Sequence, residues 1–170
     1  MGHTNAFETE FRKSLELWAD KHPNFAWHRL FDTMTFRQVS ENIFATKNPC
    51  DFIAMRDCAN GDSPMKHPVF YMLECKSSHS NSSFCLDYIK PHQITLMSQW
   101  VKAGAEAYFI INNRAHPGKH EAFPIPVEHV EIMVESGIKS IKWATLRENY
   151  TSLVKIPKGD GAWDLSPLIE

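Results

Sequence analysis

Two short apolar runs, each with charge fixed at one end, constrain this chain more than any other feature. The first, Asp51-Phe52-Ile53-Ala54-Met55, opens on an acid that follows Pro49-Cys50. The second, residues 69–76, closes on Glu74-Cys75-Lys76. Apolar runs of this length, bounded by turn residues, read as strands at 51–56 and 69–76. The turn-rich segment Asn60-Gly61-Asp62-Ser63-Pro64 lies between them, so the pattern is strand, loop, strand. Side chains of a strand alternate faces, which puts Glu74 and Lys76 on one side and Cys75 on the other.

Two carboxylates with room between them bind a hard divalent cation through oxygen, and a lysine beside them positions or deprotonates a water. Together these are a minimal kit for metal-assisted phosphodiester hydrolysis. The plainer reading of the same residues is a strand-end acid and an exposed lysine forming a surface pair.

The remaining pattern is that of an α/β chain. Phe7, Phe11, Leu15 and Trp18 recur at helical spacing and predict a helix over 5–20, with Glu8 inside its apolar arc. A helix-dipole role is the bland account of that acid. Residues 25–30 predict a strand, and 32–47 have no clear pattern. Residues 77–83 are Ser-rich and read as loop. Lys90-Pro91-His92-Gln93 starts a helix with Pro91 in its first turn, a buried stripe of Ile94, Met97 and Val101, and a stop at Gly104. Residues 107–112 are almost continuously apolar and predict a buried central strand. A further helix is expected over 126–135, 139–149 has no settled assignment, and the tail segment 157–161 reads as loop. This order implies a central mixed β-sheet flanked by α-helices. With 170 residues, no internal repeat and no linker, one domain over 1–170 is expected.

Composition bounds the function. A net charge of −2 argues against a protein that coats nucleic acid non-specifically, yet is compatible with a nuclease whose metal-binding acids lower the total. The absence of any run of about 18 apolar residues argues against a membrane span. The N-terminus lacks the apolar region of a signal peptide. Cys50, Cys58, Cys75 and Cys85 are irregularly spaced, which predicts free thiols in a reducing cytoplasm. With His67, His79 and His92 they offer soft zinc ligands, but no C-x2-C pair is present and Cys75 faces away from Glu74.

The acid followed by Glu-x-Lys resembles the PD-(D/E)XK nuclease superfamily. Several elements in order narrow the resemblance to the RecU-type Holliday-junction resolvases. These are Phe7-Glu8 in the first helix, the Ser-rich loop after Lys76, and Lys90-Pro91-His92-Gln93-Ile94-Thr95-Leu96-Met97. The strand Ala107-Tyr108-Phe109-Ile110-Ile111 follows, and Lys139-Ser140-Ile141 stands late in the chain. Three departures stand out. Cys50 occupies a position that is usually Thr, the 51-to-74 interval is longer, and the chain is shorter than typical members.

The resemblance implies a restriction-endonuclease-like fold and a Mg²⁺-dependent endonuclease, with Mn²⁺ as an alternative ion. The implied metal ligands are Asp51, Glu74 and the backbone carbonyl of Cys75, with Glu8 completing the shell directly or through water. Lys76 then orients the attacking water or takes its proton. Gln93 bonds the scissile phosphate or that water, or alternatively caps its own helix. Ser77, Ser78, Lys90, His92 and Arg114 are candidate phosphate contacts, with His116, Lys119 and His120 as a further basic run. The implied substrate is branched DNA, cut by paired nicks. A two-fold substrate calls for a homodimer, in the cytoplasm of a bacterial or phage-infected cell. The competing readings are a restriction-like or repair nuclease on duplex or flap DNA, and an inactive DNA-binding module of the same fold.

Overall fold

The computed structural model describes residues 6–30, 48–57, 67–157 and 161–169. The segment 32–47 and the turn expected at 60–64 lie outside the described residues, as does Cys58. Helix α1 (Ala6–Lys21) buries Phe7, Phe11, Leu15 and Trp18, the stripe expected from their spacing. It is followed by β1 (Phe25–Arg29), β2 (Phe52–Arg56) and β3 (Val69–Ser78), paired antiparallel in sequence order. Next come β4 (Ser83–Cys85), a 3-10 turn at Leu86–Tyr88, α2 (Pro91–Lys102) and β5 (Glu106–Asn113). The chain continues through β6 (Glu121–Pro126), α3 (Val127–Glu135), β7 (Ser140–Lys142), α4 (Trp143–Asn149) and the short α5 (Ser166–Ile169).

The main sheet has the order β1-β2-β3-β5-β6, and β4 pairs with β7 in a separate two-stranded sheet. β3 and β5 are parallel, Glu74 standing opposite Phe109, so a crossover must join them. Helix α2 is that crossover. Pro91 opens it, where a missing N–H costs nothing, and Gly104 at φ 100 turns the chain back towards the sheet.

Both faces of the sheet are covered. On one face α1 and the C-terminal segment pack on Phe52, Leu73, Cys75 and Ile110. On the other, residues of α2, α3 and α4 pack on Met72, Phe109, Ile111 and Phe123. β5, between β3 and β6, contributes to both cores, which is why its sequence is apolar without alternation. The architecture is thus the mixed sheet between helices that the sequence implied.

One sequence expectation changes, and two stretches that had no assignment prove to be structured. Ser77 and Ser78 are not loop: β3 runs on to Ser78, and they pair with Asn112 and Asn113. Strand β6 was hidden by Pro124 and Pro126, which argue against a strand. Its register explains the tolerance. Ala122 accepts a hydrogen bond from Leu153 N–H with a carbonyl that points away from β5. Backbone polar groups alternate sides along a strand, so positions 124 and 126 also face outward. The prolines therefore remove no bond from the ladder to β5. The residues after 161 are structured as well. Trp163, Leu165, Leu168 and Ile169 belong to the core beneath α1.

Trp163 anchors that tail. It is 1% exposed, meets Phe7 edge-on at 5.9 Å, and donates its backbone N–H to Ser14 Oγ at 2.8 Å. Trp163→Ala is expected to cost about 3–5 kcal/mol in urea unfolding, as for other large buried aromatics. A loss below about 1 kcal/mol, the range of ordinary surface changes, would show that the tail is not part of the core.

Candidate active site

The site forms where β2 and β3 part. Their pairing ends at Phe52 opposite Leu73, with a last contact from Asp51 N–H to Leu73 O at 3.2 Å. β3 continues for five more residues without β2 beside it. Asp51 fills the first gap: its Oδ2 accepts the Cys75 N–H at 2.8 Å. The N–H and C=O of one strand residue point to the same side. The Cys75 carbonyl therefore faces the same open edge as Asp51, as a backbone metal ligand must.

Glu74 and Lys76 share a face, as alternation predicts, and Lys76 Nζ lies 2.7 Å from Glu74 Oε1. The same Glu74 oxygen accepts Gln93 Nε2 at 2.6 Å. Gln93 is in the first turn of α2, where its Oε1 accepts the Lys90 backbone N–H at 3.2 Å. It caps its own helix, the plainer of the two sequence readings, and at the same time holds Glu74. These contacts leave Asp51 Oδ1 and Glu74 Oε2 as the oxygens not engaged in them.

Glu8 approaches from α1. It forms an ion pair with Arg29 at 2.5 Å, and its charge acts on Asp51, Glu74 and Cys75. Arg29, at the end of β1, has no place in the sequence pattern. Nothing local marks it, because its role depends on where α1 packs.

The acids crowd one another. Burial first, then Glu74, pushes the Asp51 carboxyl up to about 8, against the Cys75 N–H and Lys76, which lower it. Burial likewise raises Glu74, opposed by Lys76 and Gln93. Buried oxygens that resist ionising for want of positive charge fit a hard cation. Among the described residues, no three His, Cys, Asp or Glu side chains form a ready metal cluster. That donor set suits an ion that takes one or two carboxylates and keeps water or phosphate in its remaining positions, as Mg²⁺ does. Soft ligation is disfavoured: burial and the Glu74 charge push the Cys50 thiol up to about 12.

The other residues singled out from sequence lie around this centre. Ser78 is buried, and its Oγ accepts the Ser80 N–H at 3.2 Å. Ser77 is half-buried in β3, Lys90 is exposed at the start of α2, and His92 is half-buried in the first turn of that helix. Arg114 is engaged elsewhere, with Glu10 Oε1 at 3.0 Å and Asn112 Oδ1 at 3.3 Å.

An acid at the start of one strand, Glu-x-Lys on the unpaired edge of the next, and a mixed sheet between helices define the PD-(D/E)XK nuclease class. The chain matches the RecU family, Recombination protein U, over residues 32–158 and belongs to that family. Its members are Holliday-junction resolvases, which are nucleases. The matched region holds Asp51, Glu74, Lys76 and Gln93; Glu8 and Arg29 precede it. Among solved structures, the chain is similar to Hjc, a Holliday junction resolvase from the archaeal hyperthermophile Archaeoglobus fulgidus. That similarity has a TM-score of 0.43 and 17% identity, covering 85% of this chain and 94% of the other. No curated protein matches.

The raised Asp51 has a signed consequence. Unfolded, the group ionises near 3.8; folded and without metal, it holds its proton to about 8. Across that window the folded state binds more protons than the unfolded one, so its stability falls as pH rises. Asp51→Asn removes this cost. In EDTA the variant is expected to melt above the wild type, by a margin that widens from about pH 5 to about pH 8. A constant margin would count against a buried, proton-holding Asp51.

Proposed function

We propose that this protein is a divalent-metal-dependent endodeoxyribonuclease that resolves Holliday junctions by paired nicks, acting as one nuclease domain over 1–170. The observation that carries the reading is the convergence of Asp51, Glu74 and Lys76 at the point where β2 leaves β3, in a chain of the RecU family. Asp51, Glu74 and the Cys75 carbonyl would hold Mg²⁺, or Mn²⁺ in its place, with Glu8 as an outer partner. The ion would supply Lewis-acid polarisation of a phosphoryl oxygen and an activated water.

The chain's own residues do the rest. The Cys75 N–H fixes one Asp51 oxygen, which turns the other into the open edge. Gln93 does the same for Glu74. Lys76, with its ammonium against Glu74, is placed to orient water and to offset negative charge that builds on the phosphate. Arg29 steadies Glu8 beside the carboxylates. Ser77, Ser78, Lys90 and His92 border this centre as phosphate contacts. The substrate is two-fold, so the working unit is a homodimer. Free thiols at Cys50, Cys75 and Cys85 suit a reducing cytoplasm, that of a bacterial or phage-infected cell. Among the described residues, no helix is long and apolar enough to cross a membrane.

The test is cleavage of a synthetic four-way junction beside matched linear duplex and flap DNA, in Mg²⁺ and in EDTA. Symmetric nicks in the junction alone are expected, abolished by EDTA. Asp51→Asn and Lys76→Ala should each slow cutting by at least about a hundredfold, the usual cost of removing a group that stabilises the transition state. Equal cutting of duplex and flap would make the protein a general nuclease. Junction binding without any cutting would make it a binding module.

A further inference from the structure

Beyond the metal centre, the described residues carry a second concentration of charge, and it is positive. Arg114 leaves β5 with its N–H donated to Ser78 O at 2.8 Å, which places it at the end of β3, next to His79. Its guanidinium meets Glu10 Oε1 at 3.0 Å, and Lys155 Nζ stands 3.3 Å from the other oxygen of the same carboxylate. Two cations thus share one anion. The charges of Arg114, Lys155, Glu10 and His79 all act on His120, which stands in the same neighbourhood. The connection from β5 to β6 turns tightly, Lys119 N–H to His116 O at 3.1 Å with Gly118 at φ 75, and leaves Lys119 and His116 exposed.

Among the described residues, the next acid along the chain does not cancel this cluster. Glu121, the acid next to His120, is bound by Arg147 through two bonds of 2.7 Å. Arg114 and Lys155 share Glu10 as their acid among these contacts, and Lys119 adds a third fixed positive charge on the exposed turn that follows Arg114. In a chain whose net charge is −2, such a local excess is a specific arrangement rather than a general basicity. Its position matters as much. Ser78 lies two residues beyond Lys76, about 7 Å along the strand. A turn of duplex is about 34 Å long, so a single DNA arm is long enough to span the metal centre and this cluster.

We propose that Arg114, Lys119 and Lys155, with His79, His116 and His120, form a phosphate-binding ledge for the DNA arm that leaves the scissile site. Glu10 is its internal counter-ion: it holds Arg114 and Lys155 in place before DNA arrives and weakens their grip on phosphate. The inference rests on the DNA-processing reading above and adds to it a binding surface separate from the metal centre.

Binding of labelled junction and linear duplex is measured by anisotropy in EDTA, over a salt series, with the full chain. In Lys119→Ala/Lys155→Ala, the slope of log K against log salt should become shallower by about 2, close to one per lost phosphate contact. The Lys119→Arg/Lys155→Arg variant keeps the charges and should keep the slope. Glu10→Gln should bind at least about threefold more tightly at fixed salt, because an anion facing phosphate is removed. A damaged fold does not produce that gain, and thermal melts verify that each variant is folded. An unchanged slope in the alanine variant, or weaker binding by folded Glu10→Gln, would overturn the ledge. Wild type that binds DNA normally but cuts nothing in Mg²⁺ would instead overturn the nuclease reading and leave the ledge standing.

Discussion

The hydrogen bond from the Cys75 N–H to Asp51 Oδ2 is the contact on which the centre depends. At that point β3 loses β2 as a partner, and a buried backbone donor left unpaired would cost about 1–3 kcal/mol. Asp51 meets the need with a side chain instead of a strand. In doing so it draws a carboxylate to the edge of the sheet and keeps the neighbouring carbonyl open. The irregularity in the ladder and the chemical site are one feature. A sheet with complete pairing at this place would have no room for a cation or a phosphate.

Around that point the structure balances burial against charge. Asp51 and Glu74 resist ionisation because they are shielded from water and from compensating charge. Lys76, Gln93 and, for Glu8, Arg29 offset part of this. The supports come from three different elements, the β3 strand, the start of α2 and the end of β1. The parallel β3–β5 pair forces a crossover, and that crossover delivers Gln93 to Glu74. Topology and site geometry are therefore coupled through one helix start.

What the sequence made legible was local. Asp51, Glu74 and Lys76 are marked by alternation and by their position at the ends of apolar runs, and Pro91 marks the helix that carries Gln93. The mixed sheet between helices followed from element order. The features that escaped depend on contacts distant in sequence. Arg29 matters only because α1 folds beside β1. The ion pair of Arg114, a candidate phosphate contact, was not legible because its partner, Glu10, is 104 positions away. The extension of β3 through Ser77 and Ser78 is enforced by pairing to Asn112 and Asn113, against the turn preference of serine. The residues after 161 drew no assignment because their apolar positions are spaced without period, yet Trp163 is held by Ser14.

Strand β6 has a consequence for the behaviour of the protein in a crowded solution. An edge strand normally presents a row of donors and acceptors on which a foreign strand can template itself. Here the outward row lacks its donors at Pro124 and Pro126, and at Ala122 it is occupied by Leu153. The sheet cannot grow past this margin. The same two prolines that disguise β6 in the sequence thus protect the folded chain against edge-to-edge aggregation on that side.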